Sequence, residues 1–307
     1  MITVIAGGVG AARFLAGLVD IVPPGDITTV VNVGDDTVLH GLAISPDLDT
    51  VTYTLGGLVN PTTGWGLADE TWAAMDALDR FGDGSWFRLG DRDLATHLYR
   101  TGRLADGAPL SAVTAEIARG FGVAVAVTPV TDDRLRTRVT LADEGEVDFQ
   151  HYFVRRRHAV EVTKIHFAGA ETAEPAPGVI DAIDSAERVV IAPSNPIVSV
   201  APVLAVPAVD AAVRARRADV VAISPIVDGR ALKGPADRLM RELGFEASVV
   251  GVARVYAEHA AALVIDETDA QHADAVAAEG VRPVIGATVM DSPERASALA
   301  QLVVDGK

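Results

Sequence analysis

The chain alternates between short apolar runs and longer amphipathic stretches. Residues 2–6, 27–32, 123–128, 188–192, 219–224, 247–252, 262–265 and 282–285 are rich in Val, Ile and Ala. Most lack the in-and-out alternation of a half-exposed strand. They therefore read as strands buried on both faces of a parallel sheet. Between them the apolar spacing lengthens to a helical period, as in residues 291–304. Ser45-Pro46 reads as an N-cap followed by proline at the first helical position, and Asp91 is placed to cap residues 92–103. The middle differs. Residues 136–141 and 147–154, separated by "ADEGE", read as a hairpin, and the region from about 46 to 120 reads as helical. The expected architecture is α/β: a doubly wound, mostly parallel Rossmann-like sheet. It forms one domain over 1–307, with a helical and β-hairpin insertion at about 46–160.

Composition narrows the function. The net charge is −16, from 26 basic and 42 acidic residues. A nucleic-acid or anionic-membrane partner calls for a basic surface and is not expected. With no cysteine in the chain, disulfides, thiolate metal sites and thiol nucleophiles are excluded. No apolar run approaches the roughly 18 residues of a membrane span, and no leader-like segment is evident. The expected location is the cytoplasm.

In a doubly wound sheet, ligands bind at the carboxyl ends of the strands. Four polar segments follow predicted strands. The first, "AGGVGAARF", places Gly7, Gly8 and Gly10 between a strand and a helix, where backbone N–H groups and the helix N-terminus favour a phosphate. It lacks the Lys-Ser/Thr pair of a P-loop and the third glycine of a dinucleotide fingerprint, whose position Arg13 occupies. Arg13 is read equally as a charge for the ligand or as part of a solvated face. The second, "NVGDDTVLHGLAISPDLDT", carries Asn32, Asp35, Asp36, Asp47 and Asp49. Ordinary helix capping explains one of the last two, and a spare carboxylate beside a phosphate loop is a candidate Mg²⁺ ligand or general base. The third, "PSNP", presents Ser194 and Asn195 on a turn stiffened by two prolines. The fourth, "SPIVDGRALKGPA", offers Lys233, one of 3 lysines in the chain, as a phosphate contact. Away from these, "RLGDRDLATHLYR" alternates charge. Arg88 or Arg92 would reach a ligand, and His97 reads as structural.

Taken in order, "MITVIAGGVGAARFLAGL", "VVNVGDD", "ISPDLDTVTYTL", "WGLADET", "RLGDRDLATHLYRT", "DFQHYFVRR", "IAPSNPIVSVAPVL", "AISPIVDGRALKGPADRLM" and "GVARVYAE" resemble the 2-phospho-L-lactate transferase family (CofD; FbiA in actinobacteria). The resemblance runs from Ile2 to about Asp291. It implies a Mg²⁺-dependent homodimeric transferase of deazaflavin coenzyme biosynthesis. The implied donor is a guanosine diphosphate bearing lactate or enolpyruvate. The implied acceptor is the ribityl hydroxyl of FO (7,8-didemethyl-8-hydroxy-5-deazariboflavin), and GMP is released. By the same resemblance, FO contacts fall on Asp49 and Arg88, and the nucleotide rests on Gly7, Gly8, Gly10, Asn32, Ser194 and Asn195. Asp49 would act as base or hydroxyl-orienting group, with Asp35, Asp36 or Asp47 on the metal side. Asp49→Asn is then expected to lower turnover about 10²–10⁴-fold with the fold intact. Two other readings compete. One is a non-catalytic nucleotide-sugar-binding regulator of the YvcK-like type, whose glycine- and serine-rich stretch after the acidic pair is replaced here by "DDTVLHGLAISPDLDT". The other is a nicotinamide-dependent oxidoreductase, which the missing third glycine disfavours.

Overall fold

The structure, a computed structural model, describes residues 1–82 and 86–306. In chain order the first half comprises β1 (Ile2–Ala6), α1 (Gly8–Leu18), β2 (Ile27–Val31), β3 (Thr37–Leu39), β4 (Leu42–Ile44), α2 (Pro46–Leu55), α3 (Ala73–Asp79), α4 (Asp93–Ala105), α5 (Leu110–Gly120), β5 (Ala126–Pro129), β6 (Arg136–Leu141), β7 (Gly145–Asp148) and β8 (Val162–Ala168). The second half comprises α6 (Val179–Ser185), β9 (Arg188–Ile191), α7 (Ala201–Leu204), α8 (Pro207–Ala215), β10 (Val220–Ile223), β11 (Ile226–Val227), β12 (Arg230–Ala231), α9 (Ala236–Glu242), α10 (Val249–Tyr256), β13 (Ala262–Asp266), α11 (Ala273–Ala278), β14 (Arg282–Gly286) and α12 (Pro293–Asp305).

The main sheet has seven parallel strands in the order β14-β13-β10-β9-β1-β2-β5. β1 lies inside the sheet beside the central strand β9, with Ile5 opposite Val30 on one side and Ile191 on the other. Every residue of β1 is buried, as an apolar run covered on both faces by helices requires. From β1 the chain winds outward to β2 and β5, then returns to β9 and winds the other way. The strand order therefore reverses between β1 and β9, the topological switch point where doubly wound folds bind ligands. Two of the four polar segments, the glycine loop and "PSNP", leave the sheet at that point.

Seven of the eight expected strands are present, most within a residue or two of the expected ends. The exception is 247–252, which belongs to α10. Ser248 caps it by accepting a hydrogen bond from the Gly251 N–H at 3.1 Å. Val249, Val252, Ala253 and Tyr256 then point inward at helical spacing. A short apolar run fits either period, and the serine cap is what starts a helix there. The hairpin also grows. β6 pairs with β7 and with β8, and residues expected to continue β7 form a π-helical turn at His151–Arg155. β5, inside the 46–160 span, is one of the two edge strands of the main sheet. The β3–β4 hairpin, α3 and the chain leading into α4 surround a small apolar cluster of Ile44, Met75 and Leu89. Among the described residues, no single helix is long and apolar enough to cross a membrane.

Candidate active site

At the switch point the glycines do more than admit a ligand. A Cβ on Gly10 would collide with the Pro193 carbonyl, and one on Gly7 would lie 2.7 Å from Ser199 Cβ. The β1 and β9 loops thus pack backbone to backbone. The Ser194 hydroxyl ties them further by donating to the Gly7 carbonyl at 2.6 Å. Asn195 Oδ1 accepts the Ile197 N–H at 2.9 Å and caps the π-helical turn that follows. Of the expected nucleotide residues, Gly7, Gly8, Gly10, Ser194 and Asn195 are therefore brought together, and the exposed Lys233 approaches the same loop from the rim, its Nζ near Val9 at the Gly64 turn.

Asn32 is fully buried at the end of β2. Its Oδ1 accepts the Gly34 N–H at 2.7 Å, and its Nδ2 donates to Asp47 Oδ2 at 2.9 Å and Asp35 Oδ1 at 3.2 Å. The amide thus joins the two carboxylates, and its polar atoms are already engaged. From the hairpin side, Gln150 Nε2 donates to the Asp35 carbonyl at 3.1 Å. Asp36 accepts from the Ser45 hydroxyl at 2.8 Å, and its second oxygen is enclosed without a hydrogen-bond partner among the described residues. Ser45 therefore faces Asp36 and makes no side-chain cap for α2, contrary to expectation. Asp36 and Ser45 also line a cavity of about 240 Å³ walled in part by Ile44, Leu104 and Arg136.

Among the described residues, no lysine or arginine pairs with Asp35, Asp36 or Asp47 within 4.0 Å. Burial and the neighbouring charges of Asp47 and Asp36 hold the Asp35 carboxyl well above its usual range. Burial pushes Asp36 up to about 7, against the more distant attraction of Arg136. Burial also pushes Asp47 up to about 6, opposed by hydrogen bonds from Asn32 and the Gly8 backbone. Crowded, desolvated carboxylates favour the neutral form unless a cation joins them.

Asp49 has the opposite surroundings. Residues two apart on a helix point about 200° apart, so Asp49 leaves α2 on the other side from Asp47. There the buried Arg100 guanidinium grips both of its oxygens, Nη1 at 3.1 Å from Oδ2 and Nη2 on Oδ1. His97 Nδ1 lies 3.3 Å from Arg100 Nη1, and its Nε2 lies 3.2 Å from Asp93 Oδ2. The Tyr53 hydroxyl donates to Asp93 at 2.5 Å. Burial opposes the ionised form of Asp93, but the bonds from His97 and Tyr53 outweigh it and hold the carboxyl below its usual range. Ligand atoms of Asp49, Asp93 and His97 all lie within 4.8 Å of one another. The guanidinium already neutralises Asp49, so the arrangement is an ion-pair network. Arg100 is the residue that sequence reasoning missed. Its signal was present: Asp93, His97 and Arg100 recur at i, i+4 and i+7 on one face of α4.

Arg88 is not joined to Asp49. It pairs with Asp76 at 2.5 Å and lies over the Trp72 ring, 5.4 Å from its centroid, half exposed. Asp91 does not cap α4. It accepts from the Thr71 hydroxyl and from the N–H groups of Ala73 and Ala74, both at 2.9 Å, and so caps α3. Glu70 serves α4 instead, accepting the Arg92 and Asp93 N–H groups at 2.8 Å. Arg92 itself donates to the Ala68 carbonyl at 2.6 Å.

Comparison with known proteins adds to this geometry. Residues 2–294 match the family described as 2-phospho-L-lactate transferase CofD. The chain belongs to the CofD family. Its CofD relatives include a phosphoenolpyruvate transferase of Streptomyces griseus, 42% identical over 99% of this chain and 97% of that one. Another, from Nocardia farcinica, is 45% identical over 86% of this chain and 82% of that one. The solved structure of a UPF0052-family protein from Bacillus halodurans shares the fold, with a TM-score of 0.66 at 17% identity, covering 99% of this chain and 98% of that one. This CofD-family chain is a transferase built on a seven-stranded parallel α/β sheet.

Proposed function

We propose that the enzyme moves a phospho-acid group from a guanosine-diphosphate donor to the terminal ribityl hydroxyl of FO, releasing GMP, in deazaflavin coenzyme F420 biosynthesis. The acid is enolpyruvate, in line with the names carried by the actinobacterial relatives; lactate is the alternative. One observation carries the reading: a family match along the chain coincides with a crowded carboxylate cluster beside the β1 and β9 loops that has no ion pair within 4.0 Å among the described residues.

Asp35 and Asp47, joined by the Asn32 amide, would supply hard oxygen ligands to Mg²⁺, and among the described residues the neighbouring Asp36 has one enclosed oxygen without a hydrogen-bond partner. When bound there, the ion would offset charge on the diphosphate oxygens. Asn32 holds Asp35 and Asp47 in register for it. The reaction is an in-line displacement: the ribityl oxygen bonds to the acid-bearing phosphorus, the bridging oxygen departs with GMP, and the hydroxyl proton passes to solvent. Asp49, its oxygens fixed by Arg100, orients that hydroxyl. Arg88 and Trp72 offer the acceptor a cation and an aromatic face. Alignment and charge neutralisation are the enzyme's main contributions.

The test is mass spectrometry of FO after incubation with each donor and Mg²⁺. The enolpyruvyl product differs from the lactyl product by two hydrogens. Absence of GMP and of any heavier FO species with either donor would sink the proposal.

A further inference from the structure

Two cationic side chains outside the carboxylate cluster converge beside the glycine loop. Arg13 stands on α1, and Lys233 lies between β12 and α9. A Cβ built on Gly64 would be 3.6 Å from Lys233 Nζ, 3.8 Å from Arg13 Nη2 and 3.0 Å from Val9 Cγ1. Three separate stretches of chain therefore meet at one point. The loop that carries Gly64 is tied to itself. Gly64 N–H donates to the Asn60 carbonyl at 2.8 Å, Asn60 N–H to the Gly66 carbonyl at 3.0 Å, and Thr62 N–H to Asn60 Oδ1 at 2.9 Å. With φ at +77°, Gly64 holds a turn that a side chain would strain.

The charges are the unusual part. The chain has 42 acidic residues and a net charge of −16. Among the described residues, neither Arg13 nor Lys233 has a carboxylate within 4.0 Å. The hydrogen bond of Arg13 is a long one, 3.4 Å to the Met290 carbonyl. Partial enclosure and the nearby Arg13 charge hold the Lys233 ammonium below its usual range. Like charges kept together in an acidic protein are stabilised when an anion joins them. The position, next to the loop that follows β1, is where a phosphate chain would run.

We propose that Arg13 and Lys233, with the Gly64 loop as outer wall, clamp the diphosphate of the nucleotide donor. The assignment rests on the donor reading given above, although the clamp itself needs only a diphosphate. The planar guanidinium grips paired phosphoryl oxygens, and the ammonium adds a point charge. In the transfer, the clamp neutralises the phosphate of GMP as its bridging bond breaks and the oxygen gains charge.

The experiment is isothermal titration of the full chain without divalent ions, using GDP, guanosine and inorganic pyrophosphate. Wild type should bind GDP at least about tenfold more tightly than guanosine, since charge-assisted bonds to phosphate add to the nucleoside contacts. Pyrophosphate should compete with GDP. The double variant Arg13→Gln/Lys233→Gln should lose the GDP advantage and pyrophosphate binding while keeping its guanosine affinity. Lys233→Arg should retain most of the advantage, and melting curves verify that each variant folds. A double variant with an unchanged GDP advantage overturns the clamp, as does a wild type that binds neither GDP nor pyrophosphate. Pyrophosphate binding that is lost in the double variant, with no guanosine binding in either protein, upholds the clamp and overturns the guanosine donor.

Discussion

Asp47 and Asp49 stand two residues apart on the first turns of one helix, yet their electrostatic surroundings are opposite. Asp49 is locked to a buried guanidinium. Asp47 shares an amide with Asp35 and, among the described residues, has no lysine or arginine within 4.0 Å, and its carboxyl is pushed up to about 6. The first arrangement is complete in the protein alone. The second is held in place by Asn32 and Gln150, but its charge is left uncompensated. Both are buried acids: the protein's own guanidinium balances the charge of the first, and the second is left for a cation that arrives later. Burial of a carboxylate is thus a weak guide to its role, and the identity of its partner is a strong one.

The largest expected effect breaks the first arrangement. Arg100→Met leaves Asp49 buried and unpaired, and should cost about 3–5 kcal/mol in urea denaturation. Replacing both residues, as Asp49→Leu/Arg100→Met, should recover most of that loss without restoring turnover. If the single and double variants are equally unstable, the pair is not the unit described here. The same geometry revises the expectation that Asp49→Asn leaves the fold intact, because that change strands the Arg100 charge.

The second arrangement should respond with the opposite sign. Asp47→Asn keeps an oxygen to accept from Asn32 and removes a crowded charge. Above pH 7, without divalent ions, its melting temperature should equal or exceed that of wild type. Its turnover should fall about 10²-fold or more for loss of a group that stabilises transition-state charge. A variant that is both less stable and fully active would reverse the contrast. A smaller effect is expected one step back. Asn32→Ala should weaken Mg²⁺ binding about 10–100-fold, the usual range for a residue that orients metal ligands, measured by titration calorimetry.

The pH dependence sharpens the comparison further. Asp36 is raised to about 7 and Asp47 to about 6, so the folded protein holds protons that the unfolded chain releases near pH 4. The stability from these groups is present in acid and lost as pH rises through 6 to 7. Asp36 is faced by Ser45, Arg136, Arg100 and Asp49. Relative to Asp36→Asn, wild-type stability should therefore decline between pH 5 and pH 8 in metal-free buffer. The smallest expected effect is Glu70→Ala, which removes the cap of α4 and should cost about 1 kcal/mol by thermal melting.

The sheet was readable because most of its strands are short, mainly apolar runs without alternation, as strands buried on both faces are. The site loops were readable because they follow those strands. What escaped has a physical pattern too. The "ASVVGVARVY" run suits either period, and a single serine decides it. The Asp49–Arg100 pair depends on how α4 docks against α2, which neither local stretch encodes alone. Asp91 caps α3 rather than the expected α4, and Glu70 takes its place, because either acid can reach an N-terminus once the chain folds back.

The contact between Gly10 and the Pro193 carbonyl has one more consequence. The two loops at the switch point are a single part made from two distant pieces of sequence. A chimaera that borrows a glycine loop carrying any side chain at position 10 must also borrow a different turn after Ile191. Grafting one motif without the other would produce a steric clash rather than a new specificity.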